Sequence, residues 1–282
     1  MYRVICAVAL ATSCKPPEAP PTAEPPGLEM ISAGVFPRLP IRYALAKGTK
    51  VTLSIDLDTK VAAADQTQAS PPLHVTLDLA VDDVLPDGRM KLTSTVRSIN
   101  ASGDDANAAH ETSVGSGVAG LAITSTLAPG GAIADVHATD QPLPDGARAE
   151  LAQVLGKFQQ LAMPLPAVPI GIGAKWRTTL PFGGTDQLAL QAVTTVNVTG
   201  RTGSAFTYVL ASELRGSDQT VVADGASVTT TSISGSASGG GTIDLARFSI
   251  DTTQSWELHA EMTTGSDRTP MTMTQTVRVS SH

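Results

Sequence analysis

From residue 41 onward, apolar and polar residues alternate with a period of two, and nothing else in the chain constrains its fold as tightly. Successive side chains of a strand point to opposite faces, so this period builds a sheet with one buried face. IRYALA (41–46), KVTLSIDL (50–57) and LHVTLDLAV (73–81) all follow it. Pro86, Asp87 and Gly88 supply turn chemistry ahead of MKLTSTVRSI (90–99), so 73–99 is predicted to be a hairpin. LAITSTL (121–127) and AIADVHA (132–138) predict a second one across Pro129, Gly130 and Gly131. The pattern resumes in AKWRTTLPF (174–182), LALQAVTTVNV (188–198), AFTYVLASEL (205–214) and TVVADGASVTTTSI (220–233). TIDLARFSI (242–250), SWELHAEM (255–262) and MTMTQTVRV (271–279) complete the set. Residues 100–119 are expected to form a loop, and SGSASGGG (234–241) a flexible segment.

One stretch breaks the alternation. Between 146 and 163, Leu151, Val154, Leu155, Phe158, Leu161 and Ala162 recur in steps of three and four, the period of an amphipathic helix. Asp145 is suited to cap its start and Pro164 to end it. Over the whole chain only 16% of residues are charged while 41% are hydrophobic, and Ser, Thr and Gly make up much of the rest. That balance suits pleated strands, since long exposed helices lean on Glu and Lys. A formal charge of −7 with no Lys/Arg cluster argues against a nucleic-acid partner.

The N-terminus carries an address. Arg3 precedes an apolar stretch, Val4–Ala11, then small residues and Cys14, the order of a secretory signal too short to span a bilayer. Residues 1–13 resemble a bacterial lipoprotein signal, with Leu10 four positions before the cysteine instead of the usual three. The resemblance implies acylation at Cys14 and attachment to the cell envelope. Lys15 in place of an inner-membrane retention Asp points to the outer membrane. Residues 15–27 hold six prolines, so 14–27 is expected to be a semi-rigid tether of polyproline type. Residues 28–282 then form one β domain.

Within that domain the halves look alike. The long hairpin at 75–99 parallels 188–214, and Gly120–His137 parallels Gly241–His259, which suggests repeats over 40–140 and 170–282. Pro166, Ile170, Ile172, Gly173 and Trp176 form a Pro…Gly-x-x-Trp motif entering a strand. With RYALAKGTKVTL (42–53), VDDVLPDGRMKL (81–92) and GGGTIDLARFSI (240–250), it resembles an uncharacterised family of bacterial secreted lipoproteins, a domain of unknown function. The resemblance implies a strand-rich envelope protein and no particular activity.

Motifs for catalysis are weak. GSGVAG (115–120) matches a dinucleotide-binding glycine pattern, but it lacks the preceding strand and following helix that would aim amides at a pyrophosphate. His74, His110, His137, His259 and His282 show no metal-ligand spacing. Asp82-Asp83 and Asp104-Asp105 are adjacent pairs that would point apart on a strand. No catalytic residue, metal or cofactor is expected. The sequence therefore predicts a mainly β fold: a curved antiparallel sheet or open barrel of two similar halves, with one amphipathic helix between them. A non-enzymatic binding or interaction module follows, its partner an apolar small molecule, a lipid or a protein. Candidate ligand-lining or lid residues are Leu151, Leu155, Phe158 and Trp176, although Gly173 and Trp176 also suit simple packing. An envelope hydrolase and a purely structural scaffold are the alternatives.

Overall fold

The computed structural model describes residues 27–63, 66–103, 106–139, 162–182, 190–223, 226–264 and 267–282. Cys14, its tether and most of the helix expected at 146–163 lie outside these residues. The described chain forms β1 (Leu28–Ser32), β2 (Lys50–Ala63), β3 (Gln66–Ala69), β4 (Leu73–Val84), β5 (Met90–Ala101), α1 (Ala106–Val118), β6 (Ala122–Leu127) and β7 (Ile133–Ala138). It continues through β8 (Lys175–Phe182), β9 (Leu190–Thr202), β10 (Ala205–Gly216), β11 (Gln219–Ala223), β12 (Ala226–Asp244), β13 (Ser249–Thr264) and β14 (Asp267–Ser281).

These strands make one antiparallel sheet in the order β1-β8-β9-β10-β12-β13-β14-β2-β4-β5-β6-β7, with β11 added on β12 and β3 on β2. The path starts at β1 and ends at β7 without closing. The expected curved, open antiparallel sheet is what forms. Register shifts in several ladders, such as Thr207/Tyr208 and Thr231/Ser234, increase the local twist and help it curl. C-terminal β14 pairs with β2 and so joins the late strands to the early ones. The turns ahead of β2 and β8 share a bonding pattern. Gly48 N–H donates to Val81 O and Val81 N–H to Thr49 O; likewise Gly173 N–H donates to Val198 O and Val198 N–H to Ala174 O.

Three expectations need correcting. SGSASGGG is part of β12, paired on one side with β10 and on the other with β13. Its small residues serve close approach. A methyl on Gly239 would sit 2.8 Å from the Gln254 Cα, and one on Gly240 would sit 2.5 Å from the Tyr208 carbonyl oxygen. At Gly241 the missing side chain lets Tyr208 of β10 reach over β12 and donate its hydroxyl to Thr252 of β13 at 3.1 Å. Residues 106–118, expected to be loop, are α1. Gly115, the first glycine of the GSGVAG pattern, lies against Ile99, where a methyl would come within 2.7 Å of the Ile99 Cβ, so it lets the helix rest on β5. Ala101 N–H donates to the Thr112 hydroxyl at 3.1 Å and ties the helix to the strand it follows.

The third correction concerns 41–46, expected to be a strand. It is extended and buries Ile41, Tyr43 and Leu45 in alternation, but it lies in no ladder. Its amides bond one turn after another: Tyr43 N–H to Pro129 O, Ala44 N–H to Leu245 O and Leu45 N–H to the Met90 sulfur. The alternation reported burial, and the bonds that would have made a strand go to hairpin ends. This segment plugs one end of the curved sheet. We call that the plugged end and the opposite one, where β13 turns into β14, the far end.

Candidate functional site

The buried face of the sheet holds two apolar clusters. At the plugged end, Leu53, Leu77, Val96, Ile123, Trp176, Val196, Phe206 and Phe248 pack with Ile41, Tyr43, Leu45, Leu165 and Ile170. Their polar atoms are satisfied by local backbone. The Tyr43 hydroxyl accepts the Met163 N–H at 3.0 Å, and the Trp176 indole N–H donates to Pro164 O at 3.1 Å. Burial pushes the Tyr43 phenol well above its ordinary value, with the Met163 contact pulling the other way. The smaller cluster, at the far end, comprises Leu190, Leu214, Ile233, Leu258, Ala260 and Met271, edged by Val61, Ala192, Trp256, Met262 and Met273.

What separates the clusters is one line of register. Thr178, Thr194, Ser212, Ala237, Trp256, Gln275 and Thr59 stand opposite one another across β8, β9, β10, β12, β13, β14 and β2. Every residue but Ala237 carries a polar group, and hydrogen bonds join neighbours on either side of Ala237. The Thr194 and Ser212 hydroxyls pair at 2.8 Å, the Trp256 indole N–H donates to Gln275 Oε1 at 3.1 Å, and the Gln275 amide donates to Thr59 at 2.7 Å. Two residues further along each strand, the line reads Leu180, Ala192, Leu214, Gly235, Leu258, Met273 and Val61, with no polar side chain at all. A polar belt therefore borders an apolar band seven strands wide. At its β8–β10 margin a shallow hollow of about 500 Å³ is lined in part by Leu180, Leu190, Gly216 and the guanidinium-bearing Arg215.

Of the residues singled out by sequence, Leu151, Leu155 and Phe158 lie outside the described residues. Trp176 is 0% exposed and built into the plugged-end cluster. The belt escaped sequence reasoning because its members are scattered between positions 59 and 275 and share only their register. Alternation marked each as inward or outward; no local signal told where strands would align.

The opposite face carries the charges. Arg97 pairs with Asp78 at 2.7 Å, and Asp78 also accepts from Thr52. His74 Nδ1 lies 2.6 Å from Asp56, with Thr76 at 3.4 Å from Nε2, a carboxylate–imidazole–hydroxyl sequence on neighbouring strands. Both side chains are largely open to water, away from the hollow beside β8–β10. His137 lies on edge strand β7, and His259 faces outward on β13 beside Glu257 and Thr272. Among the described residues no three His, Cys, Asp or Glu side chains converge as a metal site would require.

No protein-family model matches the chain, and no curated protein matches it.

Proposed function

We propose that this is a non-catalytic envelope lipoprotein, anchored through Cys14, whose inner sheet face at the far end binds the acyl chain of a lipid or a similar apolar ligand. The observation that supports the reading is the apolar band beside the polar belt. The band offers Leu, Ile and three methionines, Met262, Met271 and Met273, whose unbranched, polarisable side chains adapt to an irregular chain. Thr178, Thr194, Ser212 and Gln275 lie along one margin, where an ester or carboxyl oxygen of the same ligand would find donors. An open sheet also leaves a route for a long ligand that a closed barrel would block.

The test is titration with a fluorescent fatty acid. Saturable binding that is lost in Met273→Glu and kept in the outward-facing variant Glu257→Gln is the expected result. Absence of binding by the wild type retires the carrier role and leaves a structural scaffold. The anchor has its own test: Cys14→Ser should move the protein from the membrane fraction to the soluble one. An N-terminal peptide without acyl mass would sink that part alone.

A further inference from the structure

Most large apolar side chains that face water gather in one place. Of the eight in the described residues, Ile31 comes from the end of β1, Val35, Phe36 and Leu39 from the segment after it, and Val168 and Ile172 from the segment before β8. Phe36 is 80% exposed and Val35 63%, which is unusual for side chains of that size on a well-bonded scaffold.

The exposure follows from how the two segments meet. They pack backbone to backbone: Val35 N–H donates to Ile172 O, Gly171 N–H to Ala33 O, and Leu39 and Ile170 exchange both amide bonds. Gly34 and Gly171 allow that approach, since a methyl on Gly34 would lie 2.6 Å from the Ala174 nitrogen, and one on Gly171 would collide with the Val35 carbonyl. With the backbones in contact, the side chains between them have nowhere to go but out. The Arg201 guanidinium braces the pair from below, donating to Leu39 O, Ile170 O and Pro40 O at 3.2–3.3 Å. The patch is a braced platform.

Its charge singles out one partner. Residues 28–46 and 162–177 carry Arg38, Arg42, Lys175 and Arg177 against a single acid, Glu29, in a chain whose formal charge is −7. The Arg38 guanidinium lies 4.6 Å over the Phe36 ring, so a cation sits at the most exposed apolar tip. An aromatic and aliphatic surface edged with Arg and Lys is the composition of an interfacial membrane contact with anionic lipid. The chain's path agrees. Gly27 pairs with Thr179 and Ser32 with Lys175, so β1 carries the chain roughly 17 Å towards the patch. The residues between Cys14 and Gly27 span at most roughly 40 Å as polyproline. An anchor at Cys14 thus keeps the patch within reach of the same bilayer.

We propose that this platform, with Phe36 at its tip, rests in the headgroup layer of an anionic lipid bilayer and sets how the anchored protein stands on the membrane. The proposal takes the Cys14 anchor as its starting point and does not depend on the ligand.

The experiment places a tryptophan at Phe36 and, as a control, at Val209, an exposed apolar position on the outer face of β10. Full chains with Phe36→Trp or Val209→Trp are prepared in both the native and Cys14→Ser forms. Each is mixed with vesicles of phosphatidylethanolamine and phosphatidylglycerol. Phe36→Trp emission should shift to the blue on vesicle addition and Val209→Trp emission should not. The Cys14→Ser form of Phe36→Ser should also cosediment with vesicles several-fold less than Cys14→Ser alone. Unchanged Phe36→Trp emission in vesicle-bound protein overturns the proposal. So does a blue shift that grows with protein concentration in the absence of lipid, which would place the patch against a second copy of this chain. If mass spectrometry finds no acyl group on Cys14, the anchor falls, and the Cys14→Ser comparison still decides whether the patch enters the bilayer.

Discussion

The two clusters on the inner face share strands, among them β2, β9, β10, β12 and β13, and differ in nearly everything else. β13 gives Ile250 to the plugged end and Leu258 and Ala260 to the far end; β2 gives Leu53 to one and Val61 to the other. At the plugged end, extended segments from outside the sheet fill the curve, and Tyr43, Trp176, Phe206, Tyr208 and Phe248 pack there with their polar groups bonded. Tyr43 and Phe248 meet tilted, with ring centroids 5.9 Å apart. The far end has one aromatic, Trp256, and is rich in methionine. Rigid aromatic packing specifies a structure, whereas a methionine-rich surface accommodates a partner. Under the proposed function, the plugged end supplies stability and the far end takes the ligand.

The sharpest way to break this contrast is to truncate one residue at each end. Trp176→Ala should cost about 3–5 kcal/mol in denaturant unfolding, and Met271→Ala about 2 kcal/mol, near the bottom of its range. Equal losses would mean a single uniform core. The glycines of β12 come next. Gly241→Ala pushes a methyl into the β13 backbone beside Thr252 and should cost about 1–3 kcal/mol. No cost would mean that 234–241 is as yielding as its composition suggests. Tyr43→Phe should have the smallest effect, about 1–2 kcal/mol, because it leaves the Met163 N–H without its acceptor. It also changes the response to alkali. Burial raises the Tyr43 phenol, so its contribution is complete below the ordinary phenol range and is lost as the pH climbs above that range towards the folded value. Thermal melts across the alkaline range should therefore fall less steeply for Tyr43→Phe than for the wild type.

How much of this was legible depended on the range of the signal. Period-two alternation placed β4, β5, β6, β7, β8 and β10 close to their observed bounds, because it reports burial on one face. It misplaced 41–46 for the same reason: those residues are buried alternately, yet their amides bond hairpin ends. SGSASGGG read as flexible because Gly and Ser abound in linkers, while here their missing side chains admit neighbouring backbones from β10 and β13. α1 gave little helical signal, since ANAAHETSVGSGV has no sustained apolar stripe and is held largely by Val118, Gly115 and the Thr112 contact. The exposed platform had a partial signal in FPRLP and VPIGIG, which paired apolar residues with turn formers. That the two stretches would meet was not legible, because Leu39 and Ile170 find each other only in the folded chain.

The division of the inner face is tested most directly by its two tryptophans, one inside the plugged-end cluster and the other on the belt against the far-end cluster. Trp176 is sealed in the plugged-end cluster, and Trp256 is half-buried on the polar belt beside Met273 and Gln275. Single-tryptophan proteins, Trp176→Phe and Trp256→Phe, can be titrated with a fatty acid brominated along its chain, which quenches only on contact. The account predicts saturable quenching in Trp176→Phe, where Trp256 reports, and almost none in Trp256→Phe. Equal quenching of both, or none at Trp256 at saturating ligand, would contradict it.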